Sequence, residues 1–355
     1  MGEQVGDRYH YSGAIHIHTT ESDGTKSLEE VAAIGSQVGL DFMMFADHMG
    51  LTNREAGLEG YYNDTVVVIG YEHNDVEDNN HLMVFNSPGV YPEAMTAREY
   101  VEAARADNAF TLVAHPIEHR SRDGKYPPYP WLDWSTEAFN GLEIWNQMSE
   151  WMEKLTPFNK LVMAFSPRKS MVGPPPEALE LWDRLNLKQR YVGVAGVDAH
   201  AFPVEVGPLT VEIFPYKVHF RSLRTHIILD EPLSKDYGTA RHQLFKALAD
   251  CRVFVSNIRW GDANKFRFFA RRSDQEAVSG QELANHVGVE LSVRVPARSS
   301  IRLIRNGHAV MDIVSDRLDY TVNSPGLYRV EVWRGRRGWI FSNHIRIGSF
   351  RELGF

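Results

Sequence analysis

The residues most able to do chemistry are histidines and carboxylates placed where predicted strands end. They are His16, His18, Asp23, His48, Glu72, His115, Asp198 and His200. Neutral imidazoles and carboxylates are the usual ligands of divalent transition metals. Ligands spread over nearly two hundred residues can meet only if the fold gathers strand ends at one face, as an α/β barrel does. The pattern therefore indicates a metal-dependent hydrolase.

Two of these strand ends carry paired polar residues. The period of two in residues 14–18 places His16 and His18 on one face of a strand, with Asp23 in the following loop. Such a pair is weak evidence alone, because histidines also occur at strand ends without binding metal. The apolar strand that ends in Asp47 and His48 strengthens the pattern, and we expect Asp47 to orient an imidazole rather than to bind a metal itself.

Glu72 closes an apolar run over residues 66–72. A buried carboxylate without compensation would cost several kcal/mol, so we expect Glu72 to bridge two cations. The eight residues between Glu72 and His81 are too few for a parallel crossover, which needs a dozen or more. We therefore predict a hairpin-like return that makes His81 a ninth candidate ligand.

The later strand ends complete the set. His115 precedes a proline that stops a regular ladder, and Asp198 and His200 share a face after a glycine-containing strand. Glu143 lies in mid-strand, so we assign it to the barrel interior or to the support of other ligands.

Strands and helices alternate along the first two thirds of the chain, which is typical of a largely parallel sheet. The predicted strands cover residues 14–18, 41–47, 65–72, 81–85, 109–115, 141–145 and 191–197. Capping boxes at Ser27 and Thr96 announce two helices, and further helices are expected near residues 148–164, 176–187 and 240–250.

The 355 residues allow two domains, which we place at 1–250 (the barrel) and 251–355 (a β-rich accessory domain). Hydrophobic content of 43% and the lack of a long apolar run exclude a membrane-spanning helix. With Cys251 as the single cysteine and no signal-peptide pattern before residue 14, a cytoplasmic protein is expected, although a trimmed signal would leave no trace.

The C-terminal region has short β-rich runs and the turn pairs Asn306-Gly307 and Pro325-Gly326, which predict a small antiparallel β-sandwich with most arginines outward. Residues 294–346 contain ten arginines and four acidic residues, a net charge of +6, whereas the whole chain has −8. This basic region either docks on an acidic barrel or binds a polyanion.

The motifs, taken in order, resemble the PHP (polymerase and histidinol phosphatase) superfamily over roughly residues 10–250. They are His16-x-His18, Ser22-Asp23-Gly24, Asp47-His48, Gly70-x-Glu72, His81-Leu82, Ala114-His115-Pro116, Gly141-x-Glu143-x-x-Asn146 and Gly196-x-Asp198-x-His200. The resemblance implies a distorted (β/α)7 barrel, two or three divalent metal ions (Mn, Fe or Zn, with Mg as an alternative) and phosphoester hydrolysis. It favours the branch of predicted metal-dependent phosphoesterases, because Asp23 stands where the histidinol phosphatase branch has histidine.

The resemblance also implies a ligand set for each metal. The first set is His16, His18, Glu72 and Asp198, the second is Glu72, His81 and His115, and the third is Asp23, His48 and His200. Glu72, Asp198 and His200 are expected to serve catalysis as well as binding. Metals about 3.5–4 Å apart would lower the pKa of a bridging water and aim the resulting hydroxide at phosphorus.

Substrate contacts are expected in the segment between His115 and Gly141. His119, Arg120 and Lys125 would bind phosphate, and Trp131 and Trp134 would stack on a base. A proline-stiffened surface loop with solvated charges is the alternative. The predicted substrate is a small phosphorylated metabolite, nucleotide or short oligonucleotide, and not an extended duplex.

Two other functions remain open on the sequence. Amidohydrolase-type barrels also use strand-end histidines and aspartates, although no strand-borne lysine is evident for carboxylation. A metal-stabilised polyanion-binding module is the other alternative, and the complete ligand set argues against an inert barrel.

Overall fold

A computed structural model describes residues 2–120, 127–156, 158–206 and 209–348. The helices are α1 Leu28–Gln37, α2 Thr52–Glu55, α3 Ala97–Ala106, α4 Gln147–Glu153, α5 Lys160–Phe165, α6 Pro176–Lys188, α7 Tyr216–His219 and α8 Tyr237–Ala249, with 3-10 turns at Pro167–Lys169 and Ile258–Trp260. The strands of the first part of the chain are β1 Glu3–Val5, β2 Arg8–Ile17, β3 Phe42–His48, β4 Gly60–Tyr62, β5 Thr65–His73, β6 Leu82–Phe85, β7 Phe110–Val113, β8 Gly141–Asn146, β9 Val192–Ala199, β10 Pro203–Val206 and β11 Leu209–Glu212. Those that follow are β12 Leu223–Leu229, β13 Val253–Asn257, β14 Arg267–Arg272, β15 Gln275–Val278, β16 Glu282–Leu283, β17 Glu290–Arg305, β18 His308–Thr321, β19 Gly326–Arg334, β20 Arg337–Ser342 and β21 Ile345–Ile347.

The chain divides into two compact units that alternate along the sequence. The first comprises residues 13–171 and 194–224, and the second comprises residues 2–12, 172–193 and those from 225 onward. The predicted boundary at residue 250 stays a prediction. The two units do not divide the chain at one point, because each consists of more than one segment.

The first unit is a mixed α/β barrel. Its ladders join strands in the order β9, β2, β3, β5, β6, β7 and β8, and β5–β6 and β6–β7 are the antiparallel pairs among them. Glu143 of β8 lies against Gly196 of β9, so the row of strands returns to its start and closes. Nearly every residue of β3 and β5 is buried. Strands that are covered on both faces have continuous apolar sequences, which explains the apolar runs of these two strands.

Several local predictions are confirmed. Ser27 and Thr96 each form the complete capping box, with the glutamate three residues later returning to the cap. The Glu72–His81 connection is a hairpin-like return, because β5 and β6 pair antiparallel with Glu72 opposite Met83. The segment predicted as one helix at 148–164 forms two, α4 and α5, which a turn separates where Asn159 Oδ1 accepts the Thr156 N–H.

The second unit is built mainly from antiparallel ladders that centre on β17 and β19. A two-residue turn at Asn306 and Gly307, with φ of 50° and 83°, joins β17 to β18, as the Asn-Gly pair predicts. Ile301, Leu303 and Val330 are fully buried in this unit. The closing of these ladders into a sandwich stays a prediction.

The described helices include none that is long and apolar enough to cross a membrane.

Candidate metal centre

Glu72, at the end of β5, is the centre around which the imidazoles gather. Its Oε1 lies 2.9 Å from His81 Nδ1 and 3.1 Å from His115 Nε2. Its Oε2 lies 3.0 Å from His16 Nε2 and 3.4 Å from His48 Nδ1. The Glu72 side chain is only 1% exposed, so four imidazoles from four strand ends surround one buried carboxylate.

Asp198, which β9 delivers, forms a second focus beside the first. Its Oδ1 lies 3.4 Å from His18 Nε2, 3.5 Å from His200 Nδ1 and 3.7 Å from His16 Nε2. His18 Nε2 is also 3.4 Å from Glu72 Oε2. It nevertheless has no hydrogen-bond partner in the described structure although it is buried, so it stands between two carboxylates as a metal ligand would.

Asp23 forms the outer edge of the cluster. Its Oδ1 lies 3.2 Å from His200 Nε2, 3.6 Å from His18 Nδ1 and 3.8 Å from His48 Nε2. The Asp23 side chain is 47% exposed and that of His48 is 30% exposed, whereas His18 is fully buried. The cluster therefore opens to solvent on the side of Asp23 and His48.

Glu143 holds two of the histidines from behind. Its Oε1 is 2.9 Å from His16 Nδ1, and its Oε2 accepts the His115 backbone N–H at 2.8 Å and an Asn146 amide N–H at 2.7 Å. A Cβ at Gly196 would stand 1.5 Å from Glu143 Oε1. Glycine at 196 thus leaves space for the Glu143 carboxylate, which holds the His16 ring. Support of another candidate ligand is one of the two roles predicted for Glu143.

Asp47 has a different role from the one expected of it. It accepts the Thr19 backbone N–H at 2.7 Å, the Thr19 and Ser22 hydroxyls, each at 2.7 Å, and the Asn53 amide at 3.3 Å. Asp47 therefore fixes the loop that carries Asp23 instead of orienting an imidazole.

Three of the clustered residues adopt the left-handed backbone region. The φ angles are 68° at His16, 26° at His115 and 51° at Asp198. At His16 the ladders of β2 with β3 and β9 shift register between Ile15 and Ile17, which marks a bulge. Such conformations cost of order 1–3 kcal/mol each for residues other than glycine and concentrate at functional sites.

The charges within the cluster shift its pKa values in opposite directions. Burial alone would raise the pKa of Glu72, but His16 and the other imidazoles hold it well below its usual range. Burial alone would lower the pKa of His81, but Glu72 raises that pKa to about 10. Burial and the neighbouring His200 lower the pKa of His18 to about 4. Four imidazoles, those of His16, His81, His115 and His200, have raised pKa values, so the carboxylates here attract positive charge.

The donor atoms fit divalent metal ions. Sets whose ligand atoms all lie within 4.8 Å of one another are His18, Asp23, His48 and His200; His16, His18 and Glu72; His16, His115 and Asp198; and His48, Glu72 and His81. Mixed imidazole and carboxylate sets of this kind suit Mn, Fe and Zn. The buried Nε2 atoms of His18 and His81 have no hydrogen-bond partner among the described residues, which is a further sign of fit.

All nine predicted ligands therefore lie together. The set of Asp23, His48 and His200 matches the third predicted group, and His18 joins it. The sets that include Glu72 and Asp198 differ from the first and second predicted groups. His16 lies near both Glu72 and Asp198, and His48 also approaches Glu72. Which residues bind which ion stays a prediction.

A cavity of about 650 Å³ opens from this cluster, within the size range of small-molecule sites. Besides seven of the clustered residues, its walls include Asn74, Asp78, Glu118, Arg120, Tyr129, Met148, Ser149, Trp151, Met152, Leu155, Phe202, Pro203 and Ile213.

Arg120 is the predicted phosphate contact that lines this cavity. It forms an ion pair with Glu118 at 2.7 Å, and the side chains are only 12% and 1% exposed. Glu118 also accepts the Tyr129 backbone N–H at 2.6 Å, and the guanidinium lies 5.9 Å from the centre of the Tyr129 ring. Much of the charge of Arg120 is thus balanced within the wall.

The other predicted substrate contacts that the structure describes do not line this cavity. His119 is exposed, and its backbone N–H donates to Glu153 Oε1 at 2.9 Å. Lys125 lies outside the described residues. Trp131 is 2% exposed and packs edge to face with Trp134 at 6.3 Å, and neither lines the cavity as it is described. The roles predicted for these residues stay predictions.

Sequence reasoning missed the aromatic residues that do reach the cluster. The Tyr129 ring stacks on His81 at 5.3 Å, and the Phe202 ring stacks on His200 at 4.9 Å and 11°. Phe202 follows His200 by two residues, a spacing that was visible in the sequence. The contact of Tyr129 with His81 spans 48 positions, and no local pattern pointed to it.

No protein family model matches the sequence, and no curated protein matches it significantly. The fold is similar to a crystal structure from Bacteroides vulgatus ATCC 8482 of a two-domain protein containing a predicted PHP-like metal-dependent phosphoesterase, with 12% identity, 97% of each chain covered and a TM-score of 0.47. It is also similar to a putative metal-dependent phosphoesterase from Bifidobacterium adolescentis ATCC 15703, with 15% identity, 56% of this chain and 92% of that chain covered, and a TM-score of 0.35. At such identities and TM-scores the chemistry of this chain has to be inferred from its own site.

Proposed function

We propose that this chain is a divalent-metal-dependent phosphoesterase that hydrolyses a small phosphorylated compound. The observation that carries the proposal is the gathering of six imidazoles and the carboxylates of Asp23, Glu72 and Asp198 at the strand ends of one barrel, beside a cavity of about 650 Å³. Here two buried imidazole nitrogens, those of His18 and His81, are without hydrogen bonds among the described residues.

The proposed ligands are His16, His18, Asp23, His48, Glu72, His81, His115, Asp198 and His200, which would hold two or three ions, with Glu72 shared between two of them. Mn, Fe or Zn suits this donor set best. When bound, such ions activate water at neutral pH and stabilise negative charge on phosphoryl oxygens.

The chain's own residues prepare this site by fixing ring orientation. Glu143 engages His16 Nδ1 and leaves Nε2 facing Glu72. The Tyr129 carbonyl lies 3.2 Å from His115 Nδ1 and leaves Nε2 facing Glu72 in the same way. Since the Nε2 atom of each ring points inward, these supports favour the arrangement that a metal requires.

Metal analysis and a substrate panel test the proposal. Purified protein would be analysed for bound metal and assayed on methyl phosphate, p-nitrophenyl phosphate, bis-p-nitrophenyl phosphate and an amide of similar size. We expect at least two divalent ions per chain, and hydrolysis of a phosphoester that chelator abolishes and metal restores. Hydrolysis of the amide alone would overturn the phosphoesterase assignment in favour of an amidohydrolase.

Variants at the cluster give a sharper test. His18→Ala and Asp198→Asn should remove both bound metal and turnover and leave the circular dichroism spectrum unchanged. The matched controls are His242→Ala and Asp316→Asn, at exposed positions of the second unit, and both should keep full activity. Full metal content and activity in both cluster variants would contradict the ligand assignment.

A further inference from the structure

One side of the cavity is an apolar surface that the metal cluster itself does not explain. Asn146 caps α4 by accepting the Ser149 N–H at 2.9 Å, and its amide donates to Glu143. The helical spacing then brings Met148 and Met152 to the cavity, and Leu155 follows just beyond the helix. The start of this helix is thus anchored to the carboxylate that supports the metal cluster.

A second segment extends the same surface. Phe202 lines the cavity with its ring stacked on His200, and it is 38% exposed. Ile213 lies beside it, because its backbone N–H donates to the Phe202 carbonyl at 2.7 Å. We call Met148, Met152, Leu155, Phe202 and Ile213 the apolar wall.

The apolar wall rests on a packed base. Met148, Trp151, Met163 and Phe214 form a buried cluster against which Met152, Leu155 and Ile213 pack. Trp151 is 4% exposed, and its indole N–H donates to the Met163 carbonyl at 3.2 Å. The surface is therefore held in place before any ligand arrives.

The facing wall carries acid and little unbalanced positive charge among the described residues. Asp78 lines it with a side chain that is 58% exposed, and Asn74 and Tyr129 lie nearby. Arg120 is the cation that lines the described cavity, and Glu118 pairs with it at 2.7 Å. Among the described residues, a second phosphate on the substrate would meet Asp78 and a guanidinium that Glu118 already pairs.

We propose that the substrate is a phosphoester with an uncharged apolar or aromatic leaving group, which lies on the apolar wall while its single phosphate faces the histidine cluster. This inference rests on the proposed phosphoesterase function and narrows its substrate class. Burial of each methylene of such a leaving group should tighten binding about fourfold, which corresponds to about 0.8 kcal/mol. The preference is opposite to that of a site for bisphosphate nucleotides.

Binding of phosphonates, which carry the same headgroup but cannot be hydrolysed at phosphorus, tests the inference apart from catalysis. Calorimetry on the metal-loaded protein would compare methyl-, butyl- and hexylphosphonate with 1,4-butanediylbisphosphonate. We expect Kd to fall about fourfold per methylene, the binding heat capacity change to become more negative along the series, and the second phosphonate to weaken binding at least tenfold relative to butylphosphonate. A Kd that is equal for methyl- and hexylphosphonate, or tighter binding of the bisphosphonate, would overturn the inference.

A matched pair of variants ties the effect to the apolar wall. Met152→Gln keeps the side-chain length and adds a polar group, and it should reduce the gain per methylene to less than twofold with metal content unchanged. Leu132→Gln, at a 50% exposed position outside the cavity, should show the same fall in Kd per methylene as the wild type. An unchanged series in Met152→Gln would also overturn the inference.

Hydrolysis of methyl phosphate, measured in parallel, separates the two proposals. Turnover of methyl phosphate with a flat phosphonate series would contradict only the apolar leaving group. Failure to hydrolyse any phosphoester, with phosphonates and inorganic phosphate also unbound, would remove the phosphoesterase proposal and this inference with it.

Discussion

The two units each bury a cluster of charged side chains, and the two clusters are built on different principles. In the second unit, Arg329 binds both oxygens of Asp183, at 2.7 and 2.8 Å, and His344 Nε2 lies 2.7 Å from the same carboxylate. Glu331 takes the remaining guanidinium contact at 2.7 Å. In the first unit, Glu72 and Asp198 face mainly imidazoles, at distances of 2.9 to 3.7 Å, and the Asn146 amide also donates to Asp198 Oδ2 at 3.4 Å.

The difference separates an ion-paired cluster from the proposed metal site. Asp183 is matched by a planar, permanently charged partner in bidentate geometry, which is the strong form of a buried ion pair. The imidazoles around Glu72 are not permanently charged. Burial and charge are common to both clusters, so the type of counterion is what distinguishes the proposed metal site from the ion-paired cluster.

The largest effect on activity is expected from Glu72→Gln. Removing the central carboxylate should lower kcat/KM about 10³-fold, because several kcal/mol of metal-dependent stabilisation is lost. Metal content should fall in parallel, measured by elemental analysis of the purified variant. The unfolding free energy of the metal-free protein should change less than it does in Asp183→Asn. A larger loss of stability in Glu72→Gln would mean that the first cluster is structural too.

The largest effect on stability is expected from Asp183→Asn. This change leaves Arg329 buried without a charged partner at 183, and we expect a loss of about 3–5 kcal/mol in the free energy of unfolding by urea. Metal bound per folded chain should stay at the wild-type value. A loss of metal from the folded variant would show that the second cluster is not independent of the first.

Glu143→Gln should have an intermediate effect on the metal centre. Because Glu143 orients His16 and the His115 backbone, metal affinity should fall about 10- to 100-fold, measured by competition with a chelating dye. Saturating metal should restore most of the activity, which it would not do for Glu72→Gln. The control is Glu102→Gln, which removes an exposed helix pair with Arg98 and should leave metal affinity unchanged.

The ion pair of Asp183 with Arg329 should also make the free energy of unfolding depend on pH in the acid range. Burial alone would raise the pKa of Asp183, but Arg329 and His344 lower it to about 2, against about 3.9 in an unfolded chain. Between these values the unfolded state binds more protons, so the contribution of Asp183 is complete above about pH 4 and is lost as the pH falls towards 2. The stability difference between wild type and Asp183→Asn should therefore shrink by about 2 kcal/mol over this range in urea titrations. A difference that stays constant with pH would contradict the ion pair.

The smallest effect is expected at the exposed pair of Arg294 and Asp319, whose side chains are 39% and 50% exposed. Asp319→Asn should cost less than about 1 kcal/mol. It calibrates the Asp183 result, because both changes replace an arginine-bound aspartate and differ in burial. Equal losses from the two would show that burial does not set the strength of these pairs.

The positions of the candidate ligands were largely predictable from the sequence, because strand ends are local features. The apolar run over residues 66–72 and the short interval to His81 predicted both the end of β5 and the return of β6, which the antiparallel pairing confirms. The Asn306-Gly307 pair likewise predicted the hairpin of β17 and β18. In each case the information lies within about ten residues.

Long-range partners were not predictable. Nothing local indicates that Asp183, in α6, belongs with Arg329 and His344, some 150 residues later, and Arg329 was expected to point outward with the other arginines. Arg329 is instead 3% exposed. The role of Asp47 was missed for a similar reason, since its partners lie on a loop 25 to 28 residues earlier.

The left-handed backbone at His16, His115 and Asp198 has a consequence for the evolution of heat tolerance. Glycine relaxes such a conformation at little steric cost, so selection for thermal resistance alone would favour glycine at these three positions and would thereby erase the binding groups. Variants selected for heat tolerance together with turnover should instead collect their substitutions away from the rim of the barrel, and these three positions should persist unchanged through successive rounds.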